Sequence, residues 1–293
     1  MTPLLMPAPQ ATSEGVACAS PPAGVRQASV TNWRCGQVQV LSDWLAEEVP
    51  VALVFNGISQ AVMMATPADF EDFALGFGLT EGLLLDASEL YGVEVAQACE
   101  GIEVQMEVSS ACLARLKERR RTLAGRTGCG LCGTDSLAQV RRTLPKVTPL
   151  PVAREALAQA QRTLRSWQSM QQLTGASHAA AWCNAHGDVQ VVREDVGRHN
   201  ALDKLVGALV RERVEAATGF ICITSRASFE MVQKAAMAGV GTLAAVSAPT
   251  ALAVDTALQC GLALAGFVRG DDFVAYTQPQ AFGLSDTGDT PWM

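Results

Sequence analysis

The sequence predicts an α/β protein of two lobes, the second of which is a three-layer sandwich. Strands and helices alternate regularly over residues 173–293, and the strands of that range are continuous apolar runs. Such strands are buried on both faces, as in a largely parallel sheet covered by helices. Hydrophobic residues make up 49% of the 293. That share supplies a core for one large domain or two modest ones.

The first half of the chain predicts a leader followed by a smaller lobe. Residues 1–28 are rich in Pro, Ala, Ser and Gly without periodicity, a composition typical of disorder. Residues 29–121 are expected to form an α+β lobe, in which Asn56-Gly57 marks a hairpin because glycine tolerates positive φ. Thr66, with a proline directly after it, is expected to cap a helix. The predicted elements are strands over Val49–Phe55 and Gln60–Ala65, a helix with Phe70, Phe73, Ala74 and Phe77 on one face, strands over Tyr91–Val95 and Ile102–Val108, and a helix over Cys112–Arg121.

The second half predicts a loop, a linker and the larger lobe. Residues 122–136 hold four glycines and are expected to form a mobile loop. Residues 137–172 are expected to form linker helices, chiefly over Arg154–Gln172. The predicted elements of the larger lobe are strands over Val189–Val192, Phe220–Thr224, Thr242–Ser247 and Phe273–Tyr276, and helices over Ala201–Val210, Phe229–Ala238 and Pro249–Ala265.

A candidate ligand site follows from the order of these elements. In parallel α/β sheets, ligands bind beyond the carboxyl ends of the strands. Arg198, Arg226 and Arg269 lie in predicted loops or at element ends, and guanidinium groups suit phosphates. Helix N-termini near Asn200, Ser228 and Pro249 add backbone N–H groups for an anion. The structural alternatives are an ion pair of Arg198 with Glu194 or Asp195, a strand-end cap for Arg226, a buried strand-start position for His178 and a hydrogen-bonded position for His199.

Composition excludes several classes of function. A net charge of −7 argues against a surface that coats nucleic acid, which needs a basic excess. The N-terminus lacks a basic region followed by an apolar run, so we expect no signal peptide. Residues 235–254 carry no charge but are broken by two glycines and a proline, so we expect no membrane span. Nine mostly scattered cysteines fit a reducing compartment, which predicts a cytoplasmic protein.

The sharpest motif is the pair Cys129 and Cys132 in the segment GCGLCG. A structural zinc site needs four ligands, and the chain holds neither a second Cys-x-x-Cys nor histidines at ligand spacing. A zinc deaminase needs H-x-E and P-C-x-x-C, and both are absent. A redox pair normally sits between a strand and a helix, whereas this pair lies in a glycine-rich loop. An inert surface loop also remains open.

Sulfur carriage fits the pair best. A thiolate that accepts a terminal sulfur and then reaches a second partner needs a pliable loop, which glycines supply. It also needs a high thiolate fraction, which nearby cations and helix N-termini favour. Arg126 precedes Cys129 by three residues, and Thr134 is placed to cap a helix beside Cys132.

The chain resembles the FdhD family, whose members are sulfur carriers required for active formate dehydrogenase. The likeness spans roughly residues 45–280 and is specific as a combination. The matching segments are GRTGCGLCG (125–133), TGASHAAAW (174–182), EDVGRHNALDK (194–204), SRASFEM (225–231), SAPTALAVDTA (247–257) and GFVRG (266–270).

The resemblance implies a mechanism, partners and a site. It implies that sulfur passes from a cysteine desulfurase to Cys129, assisted by Cys132, and then to the molybdenum cofactor of formate dehydrogenase. It implies that this cofactor binds in its bis-guanine-dinucleotide form, that the chain is a homodimer, and that the fold is similar to the cytidine deaminase class without its zinc motif. The cofactor-binding stretch matches Phe267, Val268, Arg269, Gly270, Asp271 and Asp272, where the last two are acidic although the ligand is anionic.

Overall fold

A computed structural model of the chain describes residues 21–124 and 144–284, with side chains in the first range as far as residue 118. The described part contains twelve strands in three sheets and seven α-helices. Two of the sheets match the two predicted lobes.

The chain first forms an antiparallel ribbon that sequence patterns did not predict. Its strands are β1 (Val25–Arg34) and β2 (Gln37–Ala46). The leader predicted for residues 1–28 is therefore wrong at its end, because its last four residues already pair with β2.

The first lobe is a four-stranded sheet covered on one face by two helices. Its core joins apolar side chains of the sheet to one face of each helix. The elements are β3 (Val49–Phe55), β4 (Ile58–Ala65), α1 (Phe70–Thr80), β5 (Leu90–Ala98), β6 (Gly101–Val108) and α2 (Ser110–Ala124), with strand order β4-β3-β6-β5. The hairpin and the strands predicted for this lobe are confirmed.

Two boundaries in this lobe differ from the predictions. The helix α1 begins at Phe70 after Asp69, whose φ of 54° is left-handed, so Thr66 does not cap it. Thr66 instead forms hydrogen bonds with residues of the second lobe, as described below. The loop predicted to begin at residue 122 is also wrong at its start, because α2 continues to Ala124.

The second lobe is a six-stranded sheet. Its elements are α3 (Arg154–Trp167), α4 (Ser169–Thr174), β7 (His178–Asn184), β8 (Val189–Asp195), α5 (Arg198–Arg211), β9 (Gly219–Ile223), α6 (Phe229–Met237), β10 (Thr242–Ala245), α7 (Ala251–Cys260), β11 (Ala263–Arg269) and β12 (Asp272–Thr277). The strand order is β12-β11-β10-β9-β7-β8. The predicted linker, residues 137–172, is less helical than expected where the structure describes it. Residues 144–153 are not helical, and a break at Gln168 divides α3 from α4.

This sheet is mixed, so the prediction of a largely parallel sheet is wrong. Only β9, β10 and β11 are parallel neighbours. Strands β7 and β8, and strands β11 and β12, follow one another through short turns, and a short turn can only join antiparallel strands. The helix predicted for Pro249–Ala265 also ends early, at Cys260, because Gly261 takes a left-handed φ of 83° and closes it.

Helices cover both faces of this sheet, which confirms three layers. Apolar side chains of α5, α6 and α7 pack on one face. Those of α3 and the turn at Pro279–Phe282 pack on the other. The uncharged run at 235–254 is explained by this core, because it comprises the end of α6, the central strand β10 and the start of α7.

The two lobes meet where α1 crosses α5. A Cβ atom built on Gly76 would lie 1.7 Å from the backbone oxygen of Asp203, and one on Gly207 would lie 1.9 Å from that of Asp72. Only glycines allow the two backbones to approach this closely. The crossing places the first lobe beside the end of β8, where the candidate site begins.

Candidate functional site

The predicted anion-binding residues gather at one edge of the second sheet. Strand β7 is antiparallel to both β8 and β9, and β9 to β11 are parallel, so β8, β9, β10 and β11 all end at the same edge. The strands β7 and β12 begin there. We call this the carboxyl edge. The predicted residues that lie on it are Arg198, Arg226, Phe267, Val268, Arg269, Gly270, Asp271 and Asp272.

Arg198 is the first residue of α5 and is free for a ligand. Its Nε atom is buried and has no hydrogen-bond partner among the described residues. The predicted alternative, a pair with Glu194 or Asp195, is wrong. Glu194 accepts hydrogen bonds from the backbone of Met170 and Gln171, and Asp195 is paired with Lys204. A buried guanidinium nitrogen without a partner is costly, and an anionic ligand would satisfy it.

A network of buried hydrogen bonds and one ion pair fixes the position of the turn that carries Arg198. Oδ2 of Asp195 accepts from the amide of Thr66 at 3.0 Å and lies 2.7 Å from Nζ of Lys204. Its Oδ1 accepts from the amide of Gly197 and from Nδ2 of Asn200. The Thr66 hydroxyl accepts from the amide of the residue after Asp195, and its carbonyl accepts from Lys204. The first lobe therefore sets the position of this turn.

Two histidines for which the sequence predicted structural positions lie beside Arg198. Nε2 of His199 is 2.7 Å from Oε2 of Glu230, and this close contact lowers the pKa of the Glu230 carboxyl. His178 begins β7, as predicted, but is only half buried. Burial lowers the pKa of His178, and the charges of Arg198 and His199 lower it further. The pairing of β7 with β8 brings these groups together, which no local pattern reveals.

Arg226 follows β9 and points away from the core. Its side chain is exposed and takes part in no ion pair among the described residues. The helix α6 begins three residues later, after Ser228. Arg226 is thus available to an anion that approaches the N-terminal end of α6.

The stretch at 267–272 forms a strained turn between β11 and β12. Phe267 has a left-handed φ of 53°, which is costly for a bulky residue, and its ring is exposed. The Arg269 guanidinium lies over that ring at 5.9 Å, and Gly270 takes a φ of 59° at the turn. Strain of this kind concentrates at functional sites. The side chain of Val268, in contrast, is buried in the core and cannot meet a ligand.

The two acidic residues of this stretch have different surroundings. Asp271 lies 3.2 Å from the Arg162 guanidinium on α3, and both side chains are largely exposed. The Arg162 guanidinium therefore partly offsets the negative charge of Asp271, which would otherwise repel an anionic ligand. Asp272 is exposed, and its backbone lies opposite that of Arg269 in the antiparallel pairing of β11 and β12.

The two cysteines of the motif, Cys129 and Cys132, lie outside the described residues, as do Arg126 and Thr134. The buried thiols that are described suit a structural role. Burial raises the pKa of Cys183 and Cys260, and it raises that of Cys222 to about 12. These thiols are protonated at neutral pH, so they are poor nucleophiles.

The described residues hold neither a candidate metal cluster nor a candidate membrane span. No group of three or more His, Cys, Asp or Glu residues in the ranges 21–124 and 144–284 could hold a metal ion. Within the same ranges, no helix combines the length and the apolar character needed to span a bilayer.

The fold and the site define a class: a two-lobed α/β protein with an arginine-lined edge suited to an anionic ligand. The sequence model of the FdhD/NarQ family matches residues 46–282, and the chain belongs to that family. The sulfur carrier protein FdhD of Variovorax paradoxus (strain S110) is 64% identical over 238 residues, covering 81% of this chain and 86% of that protein. The protein of the same name from Bordetella petrii is 56% identical, covering 83% and 88%.

A solved structure is similar in fold. The crystal structure of a protein from Desulfotalea psychrophila, assigned as a formate dehydrogenase accessory protein, superimposes with a TM-score of 0.69 at 21% identity. The match covers 88% of this chain and 99% of that one. At this identity the likeness supports the fold alone.

Proposed function

We propose that this chain is a sulfur carrier that serves formate dehydrogenase. Cys129 accepts the terminal sulfur of a cysteine desulfurase persulfide, Cys132 assists, and the sulfur passes to the molybdenum cofactor in its bis-guanine-dinucleotide form. The observation that carries the proposal is membership of the FdhD/NarQ family, with relatives named as sulfur carriers that match four fifths of the chain. The glycine-flanked thiol pair is present in the sequence.

The carboxyl edge supports the cofactor half of the proposal. A bis-guanine dinucleotide carries two diphosphates, and Arg198, Arg226 and Arg269 are guanidinium donors that match phosphate geometry. The N-termini of α5, α6 and α7 open at the same edge. An exposed aromatic ring, Phe267, can stack on a base.

The remaining expectations belong to the same proposal. The chain acts in the cytoplasm as a homodimer, with a cysteine desulfurase and the formate dehydrogenase catalytic subunit as partners. Its second lobe is related to the cytidine deaminase fold, and three layers with helix N-termini at the carboxyl edge are compatible with that relation.

Mass spectrometry tests the carrier function. After incubation with a desulfurase and cysteine, the chain should gain a sulfur atom that is lost in Cys129→Ala. The matched control is Cys35→Ala, because Cys35 is an exposed thiol at the tip of the ribbon. Equal loading of both variants would contradict a persulfide on Cys129.

A cofactor chaperone without sulfur transfer is the second candidate. The observation that favours it is that the three arginines and the helix N-termini of the edge all belong to the second lobe, whereas the motif cysteines precede that lobe in the sequence. It predicts that the double variant Cys129→Ala, Cys132→Ala restores formate dehydrogenase activity in a deletion strain. The carrier function predicts no restoration.

A further inference from the structure

In the part of the chain that the structure describes, helices cover the four-stranded sheet of the first lobe on one face only. Apolar side chains such as Val51, Leu53 and Val104 pack with α1 and α2 and are buried. Successive side chains of a strand point to opposite faces, so Ala52 and Glu103 point the other way. No residue of β3 to β6 that points this way is buried. We call this second surface the open face.

The half of the open face that β3 and β4 form is apolar. The register of the two strands places Pro50 opposite Met64 and Ala52 opposite Val62. Val62 is 63% exposed and Met64 is 48% exposed. A sheet normally buries an apolar face against a second layer. Adjacent exposed apolar residues of this kind are typical of a contact with another protein.

The half that β5 and β6 form is acidic. Glu103 and Glu107 lie on β6, and Glu94 on β5 lies opposite Gln105, the residue midway between them. Glu94 is therefore a diagonal neighbour of both other carboxylates, at about 7–8 Å. Gln105 donates a 3.1 Å hydrogen bond to Glu103, but none of the three carboxylates forms an ion pair with a residue of the described ranges. Their mutual repulsion is uncompensated.

The sequence supplies no cation to this lobe, because residues 35–114 contain thirteen Asp and Glu but no Lys, Arg or His. Cations from outside that range pair with some of these acids, as Arg193 and Arg211 do with Asp72. Within the described residues, the paired acids of the range are Asp69, Glu71, Asp72, Glu81 and Glu89. None of them lies on the open face, so its charge is free to attract a basic partner.

A groove of about 350 Å³ lies in the acidic half. Gly92 lies opposite Glu107 and has no side chain to fill the space. The carboxylates of Glu94 and Glu107 are part of the lining, together with the turn at Asn56-Gly57. Such a groove suits the guanidinium or ammonium group of an incoming side chain.

The size of the open face suits one helix. Four strands at a spacing of about 4.8 Å span about 14 Å. A helix with its side chains is about 10–12 Å across. Helices already cover the other face of the same sheet, which is the usual way to complete a layer.

We propose that the open face docks a basic amphipathic helix of another protein. The apolar stripe of that helix covers Val62 and Met64, and its Arg or Lys side chains meet the carboxylates, one of them in the groove at Gly92. A second copy of the chain fits poorly, because an isologous contact would bring the carboxylates of both copies together. Nucleic acid is excluded by the same charge. The proposal concerns the first lobe and does not depend on the proposed function.

Fluorescence anisotropy with labelled synthetic helices tests the proposal on the full chain. The probe is a peptide of roughly 18 residues, long enough to form a helix, with leucine along one face and arginine on both flanks. A peptide with glutamate in place of arginine is its control. The arginine peptide should bind at least about tenfold more tightly in about 0.1 M salt, and less so in about 1 M salt, where the Debye length falls to about 3 Å. Equal binding of the two peptides, or no binding of either, overturns the proposal.

Variants locate the contact. The combined change Glu94→Gln, Glu103→Gln and Glu107→Gln should weaken binding of the arginine peptide about tenfold, at up to about 1 kcal/mol for each exposed pair. The matched control removes the same charge at exposed positions off the open face, by Asp43→Asn, Glu155→Gln and Asp255→Asn. A loss of equal size in both triple variants would show attraction to net charge alone and overturn the proposal.

The apolar half has its own pair of variants. Val62→Ser combined with Met64→Ser should weaken binding about tenfold, because it removes apolar area that the peptide covers. Val40→Ser is the control, since Val40 is 73% exposed but lies on the ribbon. Unchanged binding in the Val62 and Met64 variant contradicts the assigned face.

Two measurements on the free chain complete the test. The unfolding midpoint of the Glu94, Glu103 and Glu107 variant should stay unchanged or rise, because the substitutions remove a repulsion. A fall would show that these carboxylates already have cationic partners. Sedimentation should give the Val62 and Met64 variant the same oligomeric state as wild type. A shift toward smaller species would assign the open face to a second copy. Either result overturns the proposal.

Discussion

The amide of Thr66 donates a 3.0 Å hydrogen bond to the carboxylate of Asp195, a residue 129 positions further along the chain. The bond is buried and links the end of β4 in the first lobe to the end of β8 in the second. Lys204 completes the arrangement, since its Nζ contacts both residues. The turn that carries Arg198 therefore depends on a residue of the other lobe.

Thr66→Val should loosen this turn. The substitution keeps the backbone amide but removes the hydroxyl that accepts from the amide of Val196. The amide of Val196 is partly buried, and leaving it without a partner should lower the free energy of unfolding by about 1 kcal/mol. Urea denaturation measures the loss.

Thr66→Ser is its control, because serine retains the hydroxyl. It should keep the hydrogen bond to Val196, and GDP affinity should stay near the wild-type value. If the serine variant loses as much stability as the valine variant, the hydroxyl is not the group that holds the turn.

Gly76→Ala should push α1 away from α5 and so destabilise the contact between the two lobes. The new methyl group would lie 1.7 Å from the backbone oxygen of Asp203, and neither helix backbone can yield without shifting α1 from α5. Overpacking of this kind costs about 1–3 kcal/mol or more. Thermal unfolding of Gly76→Ala measures this cost. Gly92→Ala is the control, since the nearest atom to a Cβ at Gly92 is 4.0 Å away. Equal midpoints would contradict the close crossing.

His178 should make the protein less stable in mild acid. Its pKa in the folded chain is lowered by burial and by the charges of Arg198 and His199, so the unfolded chain binds the proton more readily. Stability should therefore fall as the pH drops below about 6.5, the ordinary histidine value. Urea midpoints at pH 7.5 and 5.5 should differ less in His178→Gln than in wild type. His186→Gln, at an exposed position, should leave the difference unchanged.

Phe267→Gly should weaken the binding of GDP without lowering the stability of the protein. Phe267 holds a left-handed backbone, and glycine adopts it without the strain of about 1–3 kcal/mol. The ring is exposed, so its removal forfeits little core packing. We expect an unfolding free energy that is unchanged or raised, together with weaker binding of GDP. A variant that binds GDP as well as wild type would exclude the ring from the site.

Local patterns predicted much of the fold because they act over a few residues. The hairpin around Asn56-Gly57 needs only positive φ at the turn, and the apolar faces of α1 and α5 follow from helical periodicity. The boundary at Gly261 was missed because a short apolar run fits a helix or a strand equally well.

The sequence by itself determined the thiol motif, the arginines, most of the elements of both lobes and the three-layer arrangement of the second, since each depends on residue type and local spacing. Only the tertiary structure decided that β7 enters the sheet antiparallel, that Thr66 binds Asp195 rather than capping α1, and that a buried nitrogen of Arg198 has no partner among the described residues. These features depend on residues far apart in the chain. Their pairing is set by the packing of whole elements, which local patterns do not encode.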